Sequence, residues 1–121
     1  MRIISFSKKW VKLKQPDFTT FRFPRKDRDW EVGEVVQVYY KNRTPQREKL
    51  GEAKILKLEK RYFYLPDEDV PLRSLMSHAE AKRDGFKNYQ DMTAWLEKSY
   101  GGRIYDEPMN KLTLRWEATH E

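Results

Sequence analysis

Two stretches near the C-terminus decide the fold class: Asn88-Tyr-Gln-Asp-Met-Thr-Ala-Trp-Leu-Glu-Lys-Ser-Tyr-Gly-Gly102 and Lys111-Leu-Thr-Leu-Arg-Trp-Glu117. The first predicts a helix. Asn88 suits its cap, because the side-chain oxygen can accept from a backbone N–H of the first turn that has no helical partner. Asp91 falls at the third helical position, and Tyr89, Met92, Trp95 and Leu96 recur at helical spacing as a buried face. Gly101-Gly102 supplies the stop. The second stretch changes period: Leu112, Leu114 and Trp116 alternate with Lys111, Thr113, Arg115 and Glu117, as on a strand with one buried side.

Upstream, Leu72, Leu75, Met76 and Ala79 lie at i, i+3, i+4 and i+7, which predicts another helix. Asp67-Glu-Asp69 and Pro71 mark its start, since acids complement the positive end of a helix and proline suits its first turn. Asp84-Gly85 closes it. Residues before this point read as strands. They are 3–6, 19–23 between Pro16 and Pro24, 35–40 after Gly33, 53–58, and 61–65, with Glu59-Lys60 as the break between the last two. Residues 7–15 read as one or two helical turns, and 24–29 and 42–49 as charged loops. A mostly β chain with two helices inserted before its last strand is α+β, built on a small β-barrel with two helices packed against it. There is no repeat and no Gly/Ser linker, so residues 1–121 form a single domain.

Composition narrows the functional classes. The 121 residues include no cysteine and only two histidines, His78 and His120. Disulfides, zinc knuckles and thiol catalysis are therefore removed, and neither a metal site nor a cofactor is expected. No apolar run approaches the roughly 20 residues that span a bilayer, and no secretory signal is visible, so the expectation is a cytoplasmic protein without a membrane partner. Aromatic residues make up 14% of the chain, which argues for a packed core rather than disorder. The net charge of +6 is uneven: residues 1–62 carry 17 Lys+Arg against 8 Asp+Glu, while residues 63–121 carry 8 against 11. A basic half of this kind is an electrostatic landing surface; nucleic acid is the partner it suits best, with anionic membranes and acidic proteins as the alternatives.

Taken in order, Trp10, Thr20-Phe21-Arg22, Val32-Gly33-Glu34, Asp84-Gly85-Phe86 and Tyr89-Gln-Asp-Met92 with Trp95-Leu96 resemble the ASCH domain, a member of the PUA-like β-barrel group. The likeness runs from Ile3 to Trp116. It implies a cleft between barrel and helices that binds RNA or a nucleotide-like molecule, lined here by Thr20, Arg22 and Asp84. Some relatives look like ribonucleases, and others are amidohydrolases of acetylated cytidine that use a Lys, a Thr and an acid. Thr20 matches the Thr and Asp84 the acid, so these two are the catalytic candidates if the chain is a small hydrolase. The family Lys position holds Asp17, and Gln15 stands where a Gly is usual.

Around that cleft the candidate binding residues are Lys14, Thr19, Thr20, Arg22, Arg25, Lys26, Arg28 and Trp30. Cations suit phosphates, and an indole face suits a base or a sugar. Each has a structural alternative. Paired threonines are good strand formers, Arg22 reads equally as an ion-pair partner of Asp17 or Asp84, and Asp84-Gly85 is a common helix-ending turn. Trp10 and Trp30 read as either stacking or core residues, whereas Trp95 and Trp116 read as packing. An RNA- or nucleotide-binding module is the leading reading, a hydrolase working in the same cleft is the alternative, and a basic protein-interaction module is a third.

Overall fold

The computed structural model describes residues 1–64 and 71–117. Five strands form one mixed sheet: β1 (Ile3–Phe6), β2 (Asp17–Arg22), β3 (Val35–Tyr40), β4 (Glu48–Arg61) and β5 (Met109–Trp116). Their spatial order is β1-β3-β4-β5-β2, with β1 parallel to β3 and every other pairing antiparallel. The sheet curls until its two edge strands approach. The rings of Phe6 on β1 and Phe18 on β2 lie 6.3 Å apart, and Arg22 Nη2 on β2 donates to the Ser5 carbonyl on β1 at 2.8 Å. The architecture is therefore α+β with a half-barrel sheet that stays open between β1 and β2.

Alternation along the strands builds two cores. Ile4, Phe18, Val36, Val38, Ile55, Leu112 and Leu114 fill one, together with Leu13 from a 3₁₀ turn at Val11–Lys14. Phe21, Phe63 and Met109 face the other side and meet the helices α1 (His78–Arg83), α2 (Tyr89–Tyr100) and α3 (Arg103–Asp106) through Ala81, Met92, Leu96 and Ile104. Asn88 caps α2 as its sequence requires, its Oδ1 accepting from the Asp91 N–H at 2.7 Å. Among the described residues no helix is long and apolar enough to cross a membrane.

Three expected elements differ. The strand expected over 61–65 is not formed among the described residues: β4 ends at Arg61, and Tyr62 makes only an isolated parallel bridge to Leu75. Glu59-Lys60 is not a break: β4 runs through it, with Glu59 opposite Lys111 and Lys60 opposite Asn110 on β5. Opposite charges across strands favour the ladder, and Arg61 joins them by donating to both Glu59 and Glu80. The apolar stripe from residue 72 to 79 is not one helix either. Residues 72–74 make a 3₁₀ turn, and Tyr62 then holds the chain extended by donating to the Ser74 carbonyl and accepting from the Met76 N–H, both at 2.8 Å. Helix α1 starts only after Ser77. Ser77 caps it, its Oγ accepting from the Glu80 N–H at 3.2 Å and donating to Glu80 Oε1 at 3.1 Å. The Asp67-Glu-Asp69 start signal lies outside the described residues. Helix α3 had no counterpart in the sequence reading.

Candidate ligand-binding cleft

The opening between the edge strands is a cleft of 510 Å³. Ser5 and Phe6 of β1, Thr20 and Arg22 of β2, and Trp95 and Tyr100 of α2 stand along its walls, and the 41–46 loop closes one end. A cleft of this size falls in the usual range of about 300–1,000 Å³ for small-molecule sites. It lies between sheet and helix, at a place where two strand edges leave backbone and side chains free to meet a ligand.

Its floor is polar and buried. Lys12, from the 3₁₀ turn, places Nζ 2.9 Å from Asp84 Oδ1, and the Thr19 hydroxyl donates to the same oxygen at 2.9 Å. Side-chain exposures of 7% for Lys12 and 6% for Asp84 make this an ion pair withdrawn from water. Burial pushes the Lys12 ammonium below its ordinary value and the Asp84 carboxyl above its own, while their mutual attraction opposes both shifts. Asp84 reaches this position because it caps the end of α1 and Gly85 follows with φ of +109°. That left-handed backbone suits glycine. A Cβ there would also sit 3.0 Å from Trp10 Cε3. Gly85→Ala should therefore lower stability by about 1–2 kcal/mol, the scale of a left-handed non-glycine residue. Thermal melts of wild type and variant measure it.

Arg22 forms the boundary of the cleft. Nε donates to Thr20 Oγ1 at 3.1 Å and Nη2 to the Ser5 carbonyl at 2.8 Å, so both partners are neutral. Burial lowers its guanidinium value, with Tyr100 and Asp84 opposing. The alternative role of Arg22, pairing with Asp17 or Asp84, is not what the structure contains among the described residues. Asp17 instead takes a two-pronged contact from Arg115, at 2.8 and 3.1 Å, and the Arg115 donors hold its carboxyl below the usual range.

The aromatic walls differ from expectation in an instructive way. Trp10 is nearly buried, packing 5.0 Å from Phe86 and edge-on to Trp95 at 5.3 Å. Trp95, expected in the core, is 39% exposed and borders the cleft. Trp30, for which stacking and core roles were both open, is only 5% exposed and belongs to the core cluster. Its ring is covered by guanidinium groups, Arg2 at 4.4 Å and Arg25 at 5.5 Å from the centroid.

Of the expected site residues, the structure thus brings Thr20, Arg22 and Asp84 to the cleft, with Thr19 bonded beneath it. Arg25 and Trp30 border a neighbouring cavity of 660 Å³. Lys14, Lys26 and Arg28 are exposed and border neither, and Arg28 lies 3.7 Å from both Glu31 and Glu34. Lys12 is the residue that sequence reasoning missed. Its signal was its setting: a lysine between Val11 and Leu13, two residues after Trp10, in a turn too short to give every side chain to solvent. Compared with family models, curated proteins and solved structures, the chain has no match.

Proposed function

We propose that the cleft binds the base and sugar of RNA or of an RNA-derived nucleotide, the activity that the ASCH and PUA-like resemblance implies. One observation supports this most: Trp10, Phe86 and Trp95 wall a cleft whose floor holds Lys12, Asp84, Thr20 and Arg22. A nucleobase has a flat face and a hydrogen-bonding edge, and unpaired bases are recognised by stacking on aromatic rings while polar groups read the edge. The basic half of the sequence adds steering toward a polyanion.

Tryptophan fluorescence is the test, because Trp10 and Trp95 lie at the proposed contact. Titration with the four ribonucleosides, their monophosphates and short single-stranded RNAs should give saturable quenching for at least one. Trp95→Ala should weaken that ligand by about 1–3 kcal/mol, the cost of losing one base stack. Absence of saturation with every probe removes this reading.

A hydrolase in the same cleft is the second reading, and Lys12 favours it. With Asp17 turned to Arg115, Lys12 supplies the lysine that the family position lacks. A nucleophilic threonine needs a neutral amine or another base to take its proton, and burial moves Lys12 in that direction. If this reading holds, acetylated cytidine releases acetate in the presence of wild type and not of Thr20→Val. No release by the wild type leaves the binding reading alone.

A further inference from the structure

Arg22 borders two cavities. Besides the cleft it lines the neighbouring one of 660 Å³, and the two share Ser5, Arg22, Asn42 and Tyr100, so they adjoin with Arg22 on the wall of both. The second cavity is lined by Arg2, Arg22, Arg25 and Arg43, and by no carboxylate. Glu34 and Asp27 pair with Arg2, and Asp27 with Arg25, from outside its wall, whereas in the third cavity Asp17 and Glu59 share the wall itself with Lys57, Lys82 and Lys111. Resting on the reading of the cleft as a base-and-sugar site, we propose that the second cavity is a phosphate subsite and that the ligand is a nucleoside phosphate, not a free nucleoside.

The state of each arginine supports the assignment. A buried charge is normally matched by an opposite charge, since burial without one is costly. Half-buried Arg22 has no carboxylate within ion-pair distance among the described residues: its polar contacts are a hydroxyl and a carbonyl, and its guanidinium lies 4.9 Å from the Phe6 ring centroid. Those two bonds use Nε and Nη2, and Nη1 donates to no described group. Arg43 is exposed and makes no hydrogen bond, ion pair or ring contact among the described residues. Its backbone is nevertheless held in the left-handed region, with φ of 70°, two residues after Lys41 at 47°. Strained backbone of this kind persists where the surrounding structure imposes it, commonly at ligand sites. Arg25 is held only by Asp27 at 3.4 Å and by the Trp30 ring.

Arg2 plays a different part. It donates to Glu34 and to the carbonyls of Arg28 and Asp29, which commits its nitrogens to the fold. Its charge is matched by Glu34 and Asp27, so the donors left to offer are those of Arg22, Arg25 and Arg43. A phosphate monoester presents three strong acceptor oxygens and close to two negative charges, and planar guanidinium groups grip such oxygens in pairs. Arg22 then touches both parts of the ligand, its Thr20-bonded side toward the sugar and its free nitrogen toward the phosphate.

Arg43→Gln is the informative variant, because the exposed and unpartnered Arg43 should contribute little to stability. Calorimetry at fixed ionic strength compares cytidine, uridine, adenosine and guanosine with their monophosphates. A parallel melt compares inorganic phosphate with chloride at equal ionic strength. The expected result is that at least one monophosphate binds about tenfold or more tightly than its nucleoside, the scale of a charge-assisted hydrogen bond. Arg43→Gln should reduce that ratio to within about threefold and leave nucleoside affinity unchanged. Inorganic phosphate should raise the melting temperature of the wild type and not of the variant. Nucleosides binding as tightly as their monophosphates, or a ratio undiminished in Arg43→Gln, overturns the phosphate subsite and leaves the cleft reading standing. Phosphate stabilisation through Arg43 without binding of any nucleoside or nucleotide keeps the anion site and discards the cleft reading.

Discussion

Lys12→Met will cost about 3–5 kcal/mol of folding stability, and adding Asp84→Leu will restore most of it. The single change leaves Asp84 charged in a place where only 6% of its side chain meets solvent, with the Thr19 hydroxyl as its remaining partner. Removing one member of a buried pair has that cost because the other charge stays behind uncompensated. Replacing both members by apolar groups removes the desolvation penalty with the attraction, and such replacements are commonly neutral or stabilising. Thr19 would then lose its acceptor, so a residue of about 1–3 kcal/mol should remain if its hydroxyl finds no water. Denaturant melts of both single variants and the double variant measure the coupling. A loss of no more than about 0.5 kcal/mol in Lys12→Met, the scale of a surface change, would mean that the pair is solvated in the working protein.

Arg22→Lys will lower affinity for the cleft ligand about tenfold to a hundredfold, with a smaller effect on melting. The guanidinium reaches two acceptors on different strands at once, Thr20 Oγ1 on β2 and the Ser5 carbonyl on β1. A lysine ammonium is a point charge on a flexible stem and cannot hold both while offering a third donor pair to a ligand. Hydrogen bonds to charged groups contribute about 1.5–3 kcal/mol, which is the stated range of affinity. Some stability will go too, because the Ser5 contact clasps the open side of the half-barrel. Parallel titrations and melts separate the roles. Lost stability with unchanged affinity would assign Arg22 to the scaffold.

The sequence was most legible where a single period governed a segment. Leu112, Leu114 and Trp116 alternate cleanly and lie on β5, and Asn88 with Gly101 bounds α2 at the expected residues. It misled where tertiary partners overrode a local pattern. Glu59-Lys60 looks like a turn until Lys111, Asn110 and Glu80 are placed beside it. Leu72 to Ala79 has helical spacing, yet the Tyr62 backbone takes the hydrogen bonds that a helix would need. The candidate site was half visible. Thr20 and Arg22 alternate on one strand and could be paired from spacing alone. Lys12 could not, because a lysine in a short amphipathic turn looks like an ordinary surface charge until a carboxylate 72 positions away is brought to it. For Trp30 the sequence left stacking and core roles open for the converse reason: a tryptophan in a charged loop looks exposed, but Arg2 and Arg25 cover it against the core.

The central claim is that the gap between β1 and β2 is the binding site. Its most direct measurement is a heteronuclear NMR titration with the tightest-binding nucleoside monophosphate, following backbone amides, tryptophan indoles and arginine side chains. The largest shifts are expected at the Trp10 and Trp95 indoles, at Thr20, at Arg22 Nε and at Arg43. Shifts centred instead on Lys57, Lys82 and Lys111, with Trp95 and Arg22 unmoved, would contradict it.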